Sequence, residues 1–181
     1  IFVSGLYRKL ERGIPQSRWL CSNCRGKGCP KCNWTGKMYP ESVEEIVGNP
    51  LMEMTQGEDF ALHGAGREDI DARMLGHGRP FVIEVKKPKK RFIDLGKLEK
   101  IINRTTTRRV EVSELRFASK DMVRRFKSGE GAQKLYKATV EVDRSVSQRE
   151  LAKLGKFLAG ATVKQQTPRR VMHRRADLVR E

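Results

Sequence analysis

Four cysteines that lie within twelve residues of one another constrain the fold of this chain more than any other feature. They form two Cys-x-x-Cys pairs with four residues between the pairs, at Cys21, Cys24, Cys29 and Cys32. A pair at this spacing presents both thiolates to one ion from a tight turn, and two pairs complete the closed tetrahedral site that zinc uses in structural roles. The sequence therefore predicts a small four-cysteine zinc knuckle near the N-terminus, in a chain kept in a reducing, cytoplasmic compartment.

Positive charge is the second constraint. The 181 residues carry 38 Lys and Arg against 22 Asp and Glu, which gives a net charge of +16. The excess is concentrated in residues 1–40, 86–91 and 164–180. Charge kept only for solubility would be scattered, whereas patches favour binding to a polyanion. Because no long apolar run accompanies the charge, we expect a nucleic-acid partner and no membrane, and no protein partner is implied.

Capping motifs predict the helices. Ser42 and Ser147 are each followed three residues later by Glu, which is the pattern of a capping box. The first box predicts a helix that ends near residues 48–50, with residues 51–55 as an optional further turn, and the second predicts a helix with an apolar stripe. Apolar residues at helical spacing after Asp94, and a short run at residues 121–127, predict two more helices.

Strands are predicted from runs of β-branched and alternating residues. These runs lie at residues 59–63, 80–85 and 110–117, and at residues 133–142, where Tyr136 would lie on a half-buried strand. Strands and helices alternate irregularly, which favours an α+β fold with a mixed or antiparallel sheet flanked by helices. We expect an arm with the zinc knuckle over residues 1–40 and a main domain over residues 41–181.

A glycine-rich acidic stretch is the best candidate for chemistry. Residues 63–76 read HGAGREDIDARMLG and contain three glycines, three acids and two arginines. Glycine allows close approach of the backbone to a ligand, and a carboxylate beside an arginine stays ionised and oriented. A surface loop with a solvated ion pair explains the same composition, so both interpretations stay open on these residues alone.

Other chemistries lack their motifs. The sequence has no Gly-x-x-x-x-Gly-Lys phosphate loop and no serine nucleophile elbow, and its three histidines form no metalloprotease or deaminase pattern. What remains is a carboxylate beside arginines in a basic chain. Such a carboxylate can serve as a nucleophile or a general base towards a nucleotide that the basic surface brings in.

Three separated stretches carry a resemblance to a known family. They are GREDIDARMLG at residues 66–76 followed by GRPF at residues 78–81, QQTPRRV at 165–171 with HRRAD at 173–177, and SGLYRK at 4–9 with IPQ at 14–16. Together they resemble the catalytic domain of the tenth family of tRNA pseudouridine synthases. Pseudouridine synthases place the catalytic aspartate shortly after an arginine or leucine, so the resemblance favours Asp69 as the catalytic residue, with Asp71 as the alternative.

The resemblance implies isomerisation of uridine to pseudouridine in the T-loop of tRNA, at uridine 54, uridine 55 or both. It implies no organic cofactor and no catalytic metal, so any zinc would be structural. It also implies substrate-binding roles for six residues: Arg67, Arg73, Tyr136, His173, Arg174 and Arg175. Four of the six residues have an open alternative, because Tyr136 also suits a half-buried strand and the basic run at residues 173–175 also suits a solvated strand.

Two further expectations concern the extent and class of the protein. Members of the family carry an RNA-binding domain before the catalytic domain and a pocket motif after the stretch that ends here, so we expect a catalytic-domain fragment over residues 41–181 whose C-terminal part is missing. The competing hypothesis is a zinc-stabilised RNA-binding module without chemistry, in which Asp69 would be dispensable.

Overall fold

The computed structural model describes residues 1–128, 135–166 and 179–180. The chain forms two compact units, Ile1–Gln133 and Lys134–Glu181. This structural boundary lies far from residue 40. The division by role into an arm over residues 1–40 and a catalytic domain over residues 41–181 stays a prediction.

A four-stranded antiparallel sheet forms the centre of the first unit. Its strands are β1 (Phe2–Lys9), β2 (Asp59–Gly64), β3 (Met74–Lys86) and β4 (Val110–Ala118). Their order is β2-β3-β1-β4, so the first strand in the sequence lies inside the sheet. The register pairs Gly5 with Phe81, and His63 with Val82. The antiparallel sheet with its helices confirms the predicted α+β class.

Three helices pack against this sheet: α1 (Val43–Thr55), α2 (Leu95–Thr105) and α3 (Lys120–Ser128). Helices α1 and α2 also pack against each other. The predicted caps are confirmed for α1 and α2. The Ser42 side chain accepts a hydrogen bond from the Glu45 amide at 3.2 Å, and the Asp94 carboxylate accepts one from the Lys97 amide at 2.9 Å. These bonds satisfy amides that a helix start leaves without a partner.

Helix α1 continues through Pro50, although the sequence predicted an end near residues 48–50 with an optional further turn. A proline inside a helix costs about 3 kcal/mol, so burial must offset it. Leu51 and Thr55 on the extra turn are fully buried, and the Thr55 hydroxyl donates to the Leu51 carbonyl at 2.7 Å. The optional turn is therefore formed because its side chains complete the core.

Alternate side chains of β1 point into the core between the sheet and the helices. Val3 and Tyr7 are fully buried there, together with Phe81 from β3. Lys9 lies on the same face of β1 and its residue is also 0% exposed. A buried ammonium needs counter-charges or hydrogen-bond acceptors. The groups around Lys9 therefore form a buried polar cluster at this end of the sheet.

The second unit contains helix α4 (Gln148–Leu158) and a short antiparallel pair, β5 (Gln165–Gln166) with β6 (Val179–Arg180). The capping box at Ser147 is confirmed. The half-buried strand predicted for residues 133–142 is wrong for the part that is described, since residues 135–142 have no regular secondary structure and Tyr136 is 73% exposed. Alternation produces a strand only where a neighbouring strand and a core are available, and no described strand pairs with this segment.

Within the described ranges, no helix has the length and apolar character that a bilayer span requires.

Candidate active site and metal centre

The connection between β2 and β3, residues 65–73, carries the acidic stretch singled out in the sequence. It begins where the Ala65 amide donates to the Pro80 carbonyl at 2.9 Å, and the Ala72 amide closes a turn on the Asp69 carbonyl at 3.1 Å. Gly66 has a φ of 79°, a value that favours glycine. The predicted loop is thus a tight, hydrogen-bonded connection at one end of the sheet.

Glu68 is the buried acid of this loop, with 6% of its surface exposed. Its Oε2 accepts hydrogen bonds from the Tyr7 hydroxyl at 2.6 Å and from Arg79 Nε at 3.0 Å. Arg79 also donates through Nη1 to the Ala65 carbonyl at 2.7 Å. The loop is therefore fastened to strands β1 and β3 through charge-assisted bonds, which are stronger than neutral ones.

The side chain of Lys9 binds the backbone of the same loop. Its Nζ donates to the carbonyls of Ile14, Asp69 and Ile70 at 2.8, 3.0 and 3.2 Å. The three protons of the ammonium are thereby used on carbonyl groups. Glu68 Oε1 lies 3.8 Å from this Nζ, close enough for strong attraction in a buried site.

The segment that follows β1 also forms hydrogen bonds with the loop. The Gly13 amide donates to the Ile70 carbonyl at 2.9 Å, and Arg12 Nε donates to the Asp71 carbonyl at 2.9 Å. The Gln16 amide group donates to the Tyr7 hydroxyl at 2.8 Å and to the Gly66 carbonyl at 3.0 Å. Gln16 therefore links the tyrosine below the loop to the loop backbone.

The proton and charge states in this cluster follow from burial. Burial, followed by the charge of Glu68, raises the pKa of Tyr7 well above its ordinary value of 10.0, so the hydroxyl stays protonated and donates. Burial lowers the pKa of Lys9 from its ordinary value of 10.5, whereas the neighbouring Glu68 charge opposes that shift. Glu68 is thus the counter-charge that favours the ammonium form of Lys9.

Asp69 comes directly after this buried acid and is half-buried, while Asp71 is exposed. One carboxylate oxygen of Asp69, Oδ1, accepts from the Ile70 amide at 2.7 Å. Arg67 is exposed, and its guanidinium donates to Gln16 Oε1 and to Ser17 Oγ at 3.4 Å each. A carboxylate and cations reachable from solvent therefore lie on one loop.

The other predicted site residues are distributed as follows. Arg73 is exposed at the end of the same loop. Tyr136 belongs to the second unit, where it is exposed. Three residues lie outside the described ranges: His173, Arg174 and Arg175. The substrate-binding roles of all six residues stay predictions.

Five supporting residues lie within the stretches that carry the resemblance but were assigned no role from the sequence: Tyr7, Lys9, Gln16, Glu68 and Arg79. The available signal was the side-chain alternation in β1, which places Tyr7 and Lys9 on the same face as the apolar Val3. A lysine at an inward position indicates a buried partner. The partner itself is about sixty residues away, which alternation does not reveal.

The four cysteines come together as predicted. Their sulfur atoms all lie within 4.8 Å of one another, and three pairs are separated by 3.7 to 3.9 Å. A tetrahedral ion with metal–sulfur bonds of about 2.3 Å would place its sulfur ligands about 3.8 Å apart. The residues present therefore fit a four-coordinate metal ion.

Backbone and side-chain amides favour the thiolate forms of Cys32 and Cys29, whereas burial raises the pKa of Cys24. Burial works against ionisation of Cys32, but the amides of Cys29 and Gly36, each 3.3 Å from the Cys32 sulfur, outweigh it and lower the pKa of Cys32 to about 6. Asn23 donates to the Cys29 sulfur at 3.3 Å, and this bond is the main cause that lowers the pKa of Cys29. Amides directed at the sulfurs thus prepare the site for a cation.

Glycines are required where the two turns of the cysteine centre meet. A Cβ on Gly36 would lie 2.5 Å from the Gly26 carbonyl oxygen, and one on Gly28 would lie 2.9 Å from the Trp34 carbonyl oxygen. The two ends of the knuckle are joined to each other by the edge-to-face rings of Trp19 and Tyr39, whose centroids are 5.4 Å apart. The centre is therefore a tightly closed module with a fixed stem.

The fold and the two centres define an α+β protein with an acidic loop held from beneath by a buried ionic cluster, and with a separate four-cysteine module. The sequence profile of the family described as "Pus10, C-terminal" matches residues 2–181. The chain belongs to this family.

Curated relatives with the same name come from several archaea. The chain is 54% identical over 180 residues to the protein named tRNA pseudouridine synthase Pus10 of Methanocaldococcus jannaschii, with 99% of this chain and 39% of the relative covered. It is 52% identical over 178 residues to the Pus10 of Methanothermobacter marburgensis, with 98% and 44% covered. For the Pus10 of Archaeoglobus fulgidus the identity is 47% over 180 residues, with 99% and 49% covered. The chain thus spans less than half the length of each of these relatives.

Proposed function

We propose that this chain is the catalytic part of a tRNA pseudouridine synthase, an isomerase that converts uridine into pseudouridine in tRNA. The observation that carries the proposal is the identity of 54% over 99% of the chain to a protein of that name. The alignment covers 99% of the chain, so the acidic loop and its support belong to the aligned region, which supports the proposal that the activity resides here.

Asp69 is the proposed catalytic residue. The reaction breaks the bond between N1 of uracil and C1′ of the ribose and forms a bond between C5 and C1′, while the proton of C5 is lost and N1 gains one. The product is an isomer of the substrate, so no co-reactant is consumed. Asp69 suits a role beside C1′ because its carboxylate is half-buried on a loop whose backbone is fixed by Lys9.

Substrate binding is proposed for the cations on and near this loop. Arg67 and Arg73 are exposed, which suits contact with RNA phosphates. The proposal extends to Tyr136 against the target base and to the run at residues 173–175 on phosphates. We place the modified uridine in the T-loop, at position 54, 55 or both, because the resemblance of the loop motif implies it.

Zinc is the proposed ion of the four-cysteine centre, in a structural role. Four thiolates in tetrahedral arrangement are the donor set that zinc prefers in closed sites. The ligands would be the sulfur atoms described above, which converge on one point. When bound, zinc supplies local folding energy to the knuckle. The cytoplasmic location stays a prediction.

The test compares two aspartates in the full-length protein. Asp69→Ala should abolish pseudouridine formation in a tRNA substrate, mapped by mass spectrometry, while Asp71→Ala should retain most of it. Asp71 is the matched control because it lies two residues away on the same loop and is exposed. Activity retained in Asp69→Ala refutes its role, and loss only in Asp71→Ala transfers the role to Asp71.

A non-catalytic RNA-binding module is the competing function. It is favoured by the four-cysteine module and by the basic surface alone. It predicts that the wild-type full-length protein binds tRNA with salt-sensitive affinity and yields no pseudouridine in any substrate tested. The same mass mapping therefore separates the two functions.

A further inference from the structure

Glu68 is a buried acid that the proposed reaction does not use. Its neighbour Asp69 is half-buried, whereas Glu68 points into the unit beneath the loop. Burying a carboxylate is costly unless it is paired and hydrogen-bonded, so its place next to the proposed catalytic residue requires an explanation.

Every contact of the Glu68 carboxylate leads to an element that holds the loop. Oε2 receives hydrogen bonds from Tyr7 at 2.6 Å and Arg79 at 3.0 Å. Oε1 is buried, and no donor among the described residues forms a hydrogen bond with it. What faces Oε1 is the ammonium of Lys9 at 3.8 Å. The carboxylate thus lies between two buried cations.

Both cations also bind the loop backbone on the two sides of Glu68. Arg79 Nη1 donates to the Ala65 carbonyl at 2.7 Å, and Lys9 Nζ donates to the carbonyls of Asp69 and Ile70 at 3.0 and 3.2 Å. If the carboxylate loses its charge, the two cations remain buried without their counter-ion. They would then move apart or recruit water, and each movement displaces a carbonyl of the loop.

From this arrangement we infer that Glu68 is a positioning residue for the proposed reaction, because its charge fixes Lys9 and Arg79 and, through them, the direction of the Asp69 carboxylate. The inference rests on the proposed function and assigns the residue that orients its catalytic group. Glu68 and Asp69 would have different roles: the buried Glu68 holds the loop, and the half-buried Asp69 beside it would act on the substrate.

The expected loss of reaction rate follows from how far such a displacement would move the catalytic group. A shift of about 1 Å in a catalytic group costs about 100-fold in rate. The arginines that would contact RNA are exposed on long side chains that can adjust to a small shift of the backbone, so affinity for tRNA should change little. The expected signature is a loss in the chemical step without a loss in binding.

The experiment uses Glu68→Gln in the full-length protein. Single-turnover pseudouridine formation at saturating enzyme should fall about 100-fold, while the Kd for the same tRNA should stay within about 2-fold. Both are measured at a temperature well below the unfolding transition of the variant. A single-turnover rate within about 3-fold of wild type overturns the inference, as does a loss that is explained by Kd alone.

Two further variants separate positioning from stability. Thr55→Ala removes another buried hydrogen bond, at the end of α1 that leads to the start of β2, and should leave the single-turnover rate unchanged even where it lowers the unfolding temperature. If Glu68→Gln does not fold, Tyr7→Phe removes only the hydroxyl that donates to Oε2, and about a 10-fold fall in rate is expected. An unchanged rate in a folded Tyr7→Phe variant then overturns the inference.

Failure of this inference is distinguishable from failure of the proposed function. If Asp69→Ala is inactive and Glu68→Gln has the wild-type rate, only the positioning role is refuted. If Asp69→Ala is fully active, the proposed catalytic role fails whatever Glu68→Gln shows.

Discussion

Replacing Lys9 with methionine tests whether one ammonium holds the acidic loop in place. The substitution keeps the apolar stem of the side chain and removes three hydrogen bonds, to the carbonyls of Ile14, Asp69 and Ile70. Two of these carbonyls keep another donor, since the amide of Ala72 binds the Asp69 carbonyl and that of Gly13 binds the Ile70 carbonyl. The loop is therefore weakened rather than stripped of all its bonds.

Loss of the ion pair between Lys9 and Glu68 should cost more free energy than loss of these hydrogen bonds. Removing one partner of a buried ion pair costs about 3–5 kcal/mol. Arg79 still pairs with Glu68 at 3.0 Å after the change, which places the expected cost at the lower end, about 3 kcal/mol. Since 1.4 kcal/mol corresponds to a factor of ten, local opening of the loop should become about 150-fold more frequent.

Amide hydrogen exchange of the full-length protein measures this opening. The reporters are the amides of Gly13 and Ala72, whose bonds close the loop, and the Leu98 amide in α2 serves as an internal reference. Exchange at the first two should accelerate about 150-fold in Lys9→Met, while exchange at Leu98 stays close to wild type. Acceleration of less than about 3-fold at both reporters would refute the reasoning.

A matched control uses a lysine in an exposed ion pair. Lys86 lies 2.8 Å from Asp59, and its side chain is 52% exposed. Exposed pairs contribute at most about 1 kcal/mol, so Lys86→Met should change local exchange by no more than about 5-fold. Equal effects of the two substitutions would mean that burial does not determine how strongly the Lys9–Glu68 pair stabilises the loop.

Three more predictions concern the metal, pH and RNA. Cys32→Ser should reduce the metal content of the protein, measured by elemental analysis, from about one ion per chain to about zero and expose residues 20–36 to limited proteolysis; unchanged metal content would refute the four-cysteine site. Because the folded state raises the pKa of Tyr7 above 10.0, the stability that Tyr7 contributes is fully present below pH 10 and is lost as the pH rises towards the folded-state pKa. The urea midpoint of wild type should therefore fall more between pH 9 and pH 11 than that of Tyr7→Phe, and parallel curves would contradict this shift. Replacing Lys89 and Lys90 with glutamine should weaken tRNA binding and lower the slope of log affinity against log salt by about 1 to 2, and an unchanged slope would remove this run from the RNA contact surface.

Much of the fold was accessible from the sequence because its signals are local. The caps at Ser42, Asp94 and Ser147 each depend on a side chain and an amide three residues apart, and all three are formed. The cysteine pairs converge for the same reason, since twelve residues contain the complete ligand set. Local spacing is sufficient where the partner lies within a turn or two.

Sequence patterns predicted a wrong strand, or left the end of a helix open, where the outcome depends on distant partners. The pattern around Tyr136 alternates as a strand should, but no described strand lies beside it, and its side chain is exposed. Helix α1 passes Pro50 because Leu51 finds a place in a core built by other elements. In both cases the tertiary surroundings decide between two local possibilities.

The acidic loop shows the same limit at the proposed site. Its composition indicated an ionised carboxylate on a glycine-rich connection, and the loop motif directed attention to Asp69. Its support comes from Tyr7 and Lys9, which are separated from Glu68 by 61 and 59 residues in the sequence. No local pattern indicates which buried lysine will meet which acid, so this half of the site required the structure.

The energetic balance of the loop explains why such distant support is needed. Residues 65–73 have no regular secondary structure, and fixing the backbone of such a segment costs conformational entropy. Among them only Glu68 and Ile70 are buried, so a single apolar side chain contributes to the core. Apolar packing alone therefore cannot hold the loop in one conformation. The remaining order comes from polar bonds anchored in β1, which is flanked by strands on both sides and so belongs to the part of the sheet that opens least readily. A half-buried Asp69 on a fixed backbone is the consequence, because its neighbour Glu68 and strand β1 supply the order of the loop.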